Sequence, residues 1–295
     1  MNLASLSADS FLLAPGHVLR RAKTHEVVGI KAVIERYVGD YGGLQYWLWE
    51  ATWPDGGGQV TKLPESEWRY FVVAFEGSNE RVLKIQAASD LTAFELDVGF
   101  TVLGGSQHAV MIEPSLIRVR NASDYRVTML TEFAENAATD ISAVLSQLDH
   151  RDNRMINVME LLARLRELKG LPPQSPLLFL GYFAILESIL THNPIPTDPY
   201  DSITRQVKKK LALLNNRWSE KIDYSVFGGV AAEKLWTKMY AYRSSLAHGG
   251  KADFARDLRL LGSHFQALNL IKGTVKKIIR HSLDESQLLV DLRDC

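Results

Sequence analysis

Two kinds of hydrophobic pattern follow one another along the chain. From about residue 28 to 131, apolar positions come in short runs cut by turn residues. Residues 44–50 read as a strand, and Asp55-Gly-Gly-Gly58 supplies a turn that closes a hairpin with the segment after it. Residues 68–75 form an aromatic and β-branched run, the pattern of a buried strand. Further strands are expected at 94–102, 109–112, 116–120 and 126–133, whereas 80–88 fits a strand or a helix. The segment before residue 28 reads as irregular.

After Phe133 the apolar positions recur every three and four residues. Helices are expected at 135–148 and 153–169, the second stopped by Gly170 and Pro172-Pro173. Residues 175–192 are strongly apolar, which predicts a central, buried helix ending at Asn193-Pro-Ile-Pro196. Next come a helix over 198–215 with Asp198 or Asp201 as its cap, an amphipathic helix over 230–247 stopped by Gly249-Gly250, and a long helix over 253–281. A short helix at 284–292 completes the series. The fold class expected is α+β: a β-rich domain over residues 1–133, a helical connector over 134–152, and an all-α bundle over 153–295.

Composition adds limits. Hydrophobic residues make up 46% of the 295 and charged residues 23%, an ordinary globular balance that excludes a disordered or coiled-coil chain. Neither a signal peptide nor a run of about 18 apolar residues is evident, so the expectation is a cytoplasmic protein without a membrane partner. Cys295 is the only cysteine, which excludes an intramolecular disulfide and a cysteine-based zinc site. The net charge of zero hides an asymmetry: residues 1–150 hold 12 Lys+Arg against 19 Asp+Glu, and the remainder 22 against 15. A basic C-terminal half suits a polyanionic partner, or an acidic one such as the other half of the chain.

Phosphate-loop, dinucleotide-binding, zinc-protease and serine-hydrolase motifs are all missing. What remains is Tyr240-Ala-Tyr-Arg-Ser-Ser-Leu-Ala-His-Gly-Gly250, with Arg243 and His248 five residues apart at the end of an expected helix. With 19 arginines and eight histidines in the chain, chance supplies about half of one such pair. Three are present: Arg20…His25, Arg243…His248 and Arg259…His264. Spacing does not choose among them. Context favours the second, because only there does a helix break at two glycines. On a regular helix the two side chains leave about 140° apart, and a break near His248 lets them converge.

The segment Tyr-Arg-Ser-Ser-Leu-Ala-His-Gly-Gly resembles the signature of the HEPN superfamily, in particular its Apea-like branch. Phe183-Ala-Ile-Leu-Glu-Ser-Ile-Leu190 is similar to the central helix of that family. The likeness covers about residues 153–290 and leaves out the N-terminal half. It implies a helical domain that forms a homodimer and cleaves RNA without a metal or other cofactor. Arg243 then holds the phosphate, and His248 acts as general acid or base to leave a 2′,3′-cyclic phosphate. A histidine suits that task because its ordinary pKa, about 6.5, lies near working pH. Glu187 orients Arg243, and Ser244 stands where active members often carry Asn, Asp or His. The resemblance further implies phage defence, abortive infection or toxin–antitoxin conflict, with an antitoxin or trigger protein as partner. The alternative is a non-catalytic HEPN module that binds nucleic acid or a protein.

Arg205, Lys208, Lys209 and Lys210 form the densest basic stretch with Arg217 and are candidate RNA contacts, against the plain reading of a solvated helix face. Trp47, Trp49, Trp53 and Trp68 can stack on bases or sugars, although tryptophans on alternating strands more often fill a core. Arg259 and His264 are candidates for a supporting role from a neighbouring helix.

Overall fold

The computed structural model describes residues 3–30, 49–52, 59–62, 64, 69–96, 98–103, 106–110, 131–150, 157–198 and 201–295. It is mixed α+β, with strands first and helices after them. The chain divides into two compact units, Met1–His150 and Arg151–Cys295.

The first unit is built on a five-stranded antiparallel sheet, with strands β2 (Ser10–Ala14), β3 (His17–Arg21), β6 (Phe71–Phe75), β8 (Ser106–Val110) and β7 (Gly99–Leu103) in that spatial order. The central β6 runs Phe-Val-Val-Ala-Phe with four of five side chains buried, as a strand covered on both faces requires. Around it, β1 (Leu3–Leu6) pairs in parallel with β9 (Thr131–Phe133), and β4 (Trp49–Thr52) forms an antiparallel hairpin with β5 (Gln59–Lys62). Helices α1 (Asn79–Ser89) and α2 (Glu135–His150) pack on each other, and α2 also packs on β2. Phe133 joins the layers, with Phe11 and Phe94 edge-on to it at 5.1 and 4.7 Å.

Several expectations change here. The segment read as irregular holds a hairpin, β2–β3, turned at Pro15-Gly16 with Gly16 at φ +72°. Proline fixes one turn position and glycine takes the left-handed one, so that dipeptide announced the turn. The ambiguous 80–88 segment is helix α1, opened by the Ser78 hydroxyl accepting from Glu80 N. The strand expected from residue 94 starts only at Gly99. Most of the segment expected as a connector forms α2, which lies within the first unit. The expected strand at 116–120 and most of those at 44–50 and 126–133 lie outside the described residues, as do Trp47, Trp53 and Trp68. Trp49 is described only as part of β4.

The second unit is helical: α3 (Val158–Lys169), α4 (Pro176–Leu190), α5 (Ile203–Arg217), α6 (Ala232–Ala247), α7 (His264–Asp284) and α8 (Ser286–Asp294). Helix α4 is the hub, touching α3, α5, α6, α7 and α8, which is why it is so strongly apolar. Gly181 lets α3 approach closely, since a Cβ there would overlap the Leu168 side chain. The cap of α5 is Ser202, not Asp198 or Asp201, and it accepts from Arg205 N at 3.4 Å. The helix expected over 253–281 is shorter at its front. Residues 259–261 form a separate 3-10 turn, Gly262 reverses the chain at φ +66°, and Ser263 caps α7 by accepting from Gln266 N. Among the described residues, no helix is long and apolar enough to cross a membrane.

Candidate functional site

Helix α6 carries both members of the candidate pair. Its inward positions Leu235, Trp236, Met239 and Tyr242 are buried and fix its rotation. That rotation leaves Arg243 at the edge facing α4, where its Nη2 donates to Glu187 Oε2 at 3.0 Å. The two side chains are 29% and 15% exposed, so the pair is only partly screened by water. The Arg243 guanidinium also lies 5.8 Å from the Tyr240 ring centroid, and Tyr240 in turn packs edge-on to Phe183. Glu187 thus pairs with Arg243 across α4 and α6. Its other oxygen, Oε1, is buried and accepts no hydrogen bond among the described residues.

His248 follows the last residue of α6 and is exposed. The helix does not break before it, because His248 N still donates to Ser244 O at 3.1 Å. The stop comes one residue later. Gly249 N donates to Leu246 O and Gly250 N to Ser245 O, and Gly249 sits at φ +71°. These are the two crossed bonds and the left-handed residue of a Schellman cap. Gly250 is needed for a different reason, since a Cβ there would sit 2.7 Å from Ser245 Oγ. With the helix regular through Ala247, Arg243 and His248 leave it about 140° apart. Among the described residues no hydrogen bond joins their side chains, so the convergence expected from a break near His248 does not occur within one chain. Half-buried Ser244 lends its carbonyl to the His248 amide.

The other two Arg–His pairs are structural. Arg20 makes a two-pronged ion pair with Glu26, both bonds 2.7 Å, and His25 is exposed on helical residues 24–30. His264 is the first residue of α7, and Arg259 lies in the preceding 3-10 turn. His264 Nε2 lies 3.1 Å from Pro173 O and Nδ1 lies 2.7 Å from the Tyr242 hydroxyl. One arrangement satisfies both: Nε2–H donates to the carbonyl and Tyr242 donates to Nδ1. Burial pushes the Tyr242 hydroxyl above the ordinary tyrosine range.

The basic stretch on α5 splits between two faces. Arg205 and Lys209 are exposed, and Lys208 bridges to α6 through Glu233 Oε1 and Thr237 Oγ1 at 3.1 and 3.3 Å. Lys210 belongs to the buried stripe with Gln206, Val207, Leu211 and Leu214. It is 5% exposed, its Nζ donates to Arg293 O at 3.2 Å, and burial lowers its pKa. As an RNA contact Lys210 is therefore withdrawn: its ammonium is spent inside the bundle. Arg217 pairs with Glu285.

One cluster was not anticipated. A groove of about 410 Å³ opens beside Glu187, lined also by Ser188, His192, Asn193, Ile203 and Arg293. From His192, one of its lining residues, a polar network crosses the proline-rich loop between α4 and α5. His192 Nδ1 lies 2.9 Å from Arg293 O and Nε2 lies 3.2 Å from Asp201 Oδ2. Gln206 donates to Asp201 Oδ1 at 2.7 Å and accepts from His192 N at 3.0 Å. Asp201 is held below the usual carboxylate range, first by the Ile195 amide and then by Gln206 and His192. The signal in the sequence was polar: His192, Asp201 and Gln206 bracket a loop where apolar packing alone would not need them. No protein-family model, curated protein or solved structure matches this chain.

Proposed function

We propose that the helical unit is a metal-independent endoribonuclease of the HEPN type, working as a homodimer with Arg243 and His248 at a composite site. One observation carries the reading: Arg243 is fixed by Glu187 while His248 stands exposed on a rigid glycine cap at the end of the same helix. The 140° between them keeps one chain from completing the site, so a second copy has to bring its histidine to this arginine. In that arrangement Arg243 braces the scissile phosphate with the donors Glu187 does not use. His248 of the partner subunit takes the proton of the ribose 2′-hydroxyl as the 2′-oxygen attacks phosphorus, and water gives a proton to the leaving 5′-oxygen. The P–O5′ bond breaks, the P–O2′ bond forms, and the products are a 2′,3′-cyclic phosphate and a 5′-hydroxyl. A role in phage defence or toxin–antitoxin conflict, under an antitoxin or trigger protein, follows from the resemblance alone.

The regular helix and the Glu187 pair also favour a second reading, a non-catalytic module that binds RNA or a protein partner. Cleavage of end-labelled single-stranded RNA in EDTA, beside Arg243→Ala and His248→Ala, separates the two. Cyclic-phosphate ends from the wild type alone support the nuclease. Cleavage that survives both substitutions removes these residues from the site, and RNA binding without cleavage favours the module.

A further inference from the structure

Arg243 is tied to its carboxylate less firmly than an arginine can be. A fork that meets a carboxylate through two parallel bonds is fixed in position and in plane. Arg20 does this with Glu26, through Nη1 and Nη2 at 2.7 Å each. Arg243 gives Glu187 a single bond, Nη2 to Oε2 at 3.0 Å, and its other nitrogens make no hydrogen bond among the described residues. One bond leaves the guanidinium free to swing about it. A second bond to Glu187 would steady the fork, but only by engaging donors that a phosphate needs.

An aromatic ring supplies the missing constraint. Tyr240 stands three residues before Arg243 on α6, a spacing that puts both side chains on one face of the helix. Its ring centroid lies 5.8 Å from the Arg243 guanidinium carbon, inside cation–ring range. Phe183 and Glu187 share a face of α4 in the same way, four residues apart. The two pairs interlock: Phe183 meets Tyr240 at 6.1 Å between centroids with the ring planes 67° apart, and Glu187 meets Arg243. Phe183 is buried and packs against Phe179, also buried, so the ring beside Arg243 rests on the core of the bundle.

We infer that Tyr240 is a positioning residue for Arg243, its ring fixing the guanidinium against Glu187 so that the remaining donors are left for the phosphate. The inference rests on the ribonuclease reading above, which supplies that phosphate. An uncharged ring suits the task because its face attracts a cation without accepting a conventional hydrogen bond from it. Tyr240 acts through Arg243 and touches no reacting atom, and its hydroxyl has no part in the arrangement.

Two readouts test it, and one needs no cleavage. In NMR spectra of the full chain, the Arg243 side-chain resonances are identified by their loss in Arg243→Lys. In the wild type they should show nuclear Overhauser contacts to the Tyr240 ring and lie upfield of those of exposed arginines. Tyr240→Phe should keep that upfield shift, and Tyr240→Leu should lose it. In RNA cleavage, Tyr240→Leu should lower kcat about fivefold or more with KM within about twofold, the pattern of a contact that serves the transition state. Tyr240→Phe should stay near the wild-type rate. A merely structural Tyr240 would lower the thermal midpoint of Tyr240→Leu and leave kcat of the folded protein unchanged. The wild-type ring contact is read without any Tyr240 variant having to fold, and its absence overturns the inference. So does an unchanged kcat in Tyr240→Leu, a loss in Tyr240→Phe as large as in Tyr240→Leu, or a rise in KM alone. Ring contacts in a wild type that cleaves no RNA remove the nuclease and leave Tyr240 fixing Arg243. Cleavage indifferent to Tyr240→Leu keeps the nuclease and removes the positioning role.

Discussion

Arg243 and Glu187 stand on different helices, and a 3.0 Å hydrogen-bonded ion pair joins α6 to α4 at the edge of the bundle. Arg243→Ala leaves a carboxylate that is 15% exposed with no partner on either oxygen among the described residues. The expected loss of stability is about 1–3 kcal/mol. Glu187→Gln costs less, because an amide oxygen still accepts from Arg243. A double-mutant cycle in urea should give a coupling energy of at least about 0.5 kcal/mol. Additive effects would show that the pair does not position the arginine.

Gly249 governs where His248 stands. At φ +71° an alanine is strained by about 1–2 kcal/mol, and the two cap bonds to Leu246 O and Ser245 O depend on that conformation. Gly249→Ala should lower stability by about that amount and reduce RNA cleavage more than the stability loss explains. Gly249→Asn should recover part of both, because asparagine tolerates the left-handed region. Equal stability for wild type and Gly249→Ala in thermal melts would refute the cap.

Much of the helical unit was readable because its signals are local. The apolar residues of α4 announced a buried hub, and Gly249-Gly250 announced the end of α6. The break before α7 was equally local: Ser263-His-Phe-Gln266 is a capping-box pattern, but the apolar period running across it suggested one long helix. The β2–β3 hairpin hid for the opposite reason, since five-residue strands carry too few positions for alternation to stand out, leaving Pro15-Gly16 as the only sign. Non-local chemistry was the least legible. Glu187 meets Arg243 across 56 residues of sequence and His192 meets Arg293 across 101, and no window of pattern connects such partners.

Lys209 and Lys210 are neighbours in sequence with different fates, and salt dependence distinguishes them. If α5 contacts RNA, Lys209→Ala should reduce the slope of log K against log salt by about 0.7, one phosphate contact on a single strand. Lys210→Met should leave the slope unchanged, since its ammonium faces Arg293 O within the bundle. It should also cost little stability, because burial already disfavours the charged lysine. A slope change for Lys210→Met equal to that for Lys209→Ala would contradict the buried placement.

His281 gives the helical unit a pH dependence whose sign can be worked out. Its ring stands edge-on to Trp218 at 5.9 Å, its side chain is 12% exposed, and its Nε2 is buried without a hydrogen bond among the described residues. Burial lowers its pKa below the ordinary 6.5; Glu285 and Asp284 oppose that shift and Arg217 adds to it. Above pH 6.5 the ring is neutral in both folded and unfolded chains, and its contribution is fully present. As pH falls below 6.5 the unfolded chain takes up the proton first, so stability is lost until the lower folded pKa is passed. His281→Phe keeps a ring against Trp218 and has nothing to protonate. Relative to wild type it should therefore gain stability steadily between pH 7 and pH 5, measured by urea unfolding at each pH. Parallel stability curves for the two proteins over that range would mean that His281 is protonated as easily in the folded chain as in the unfolded one.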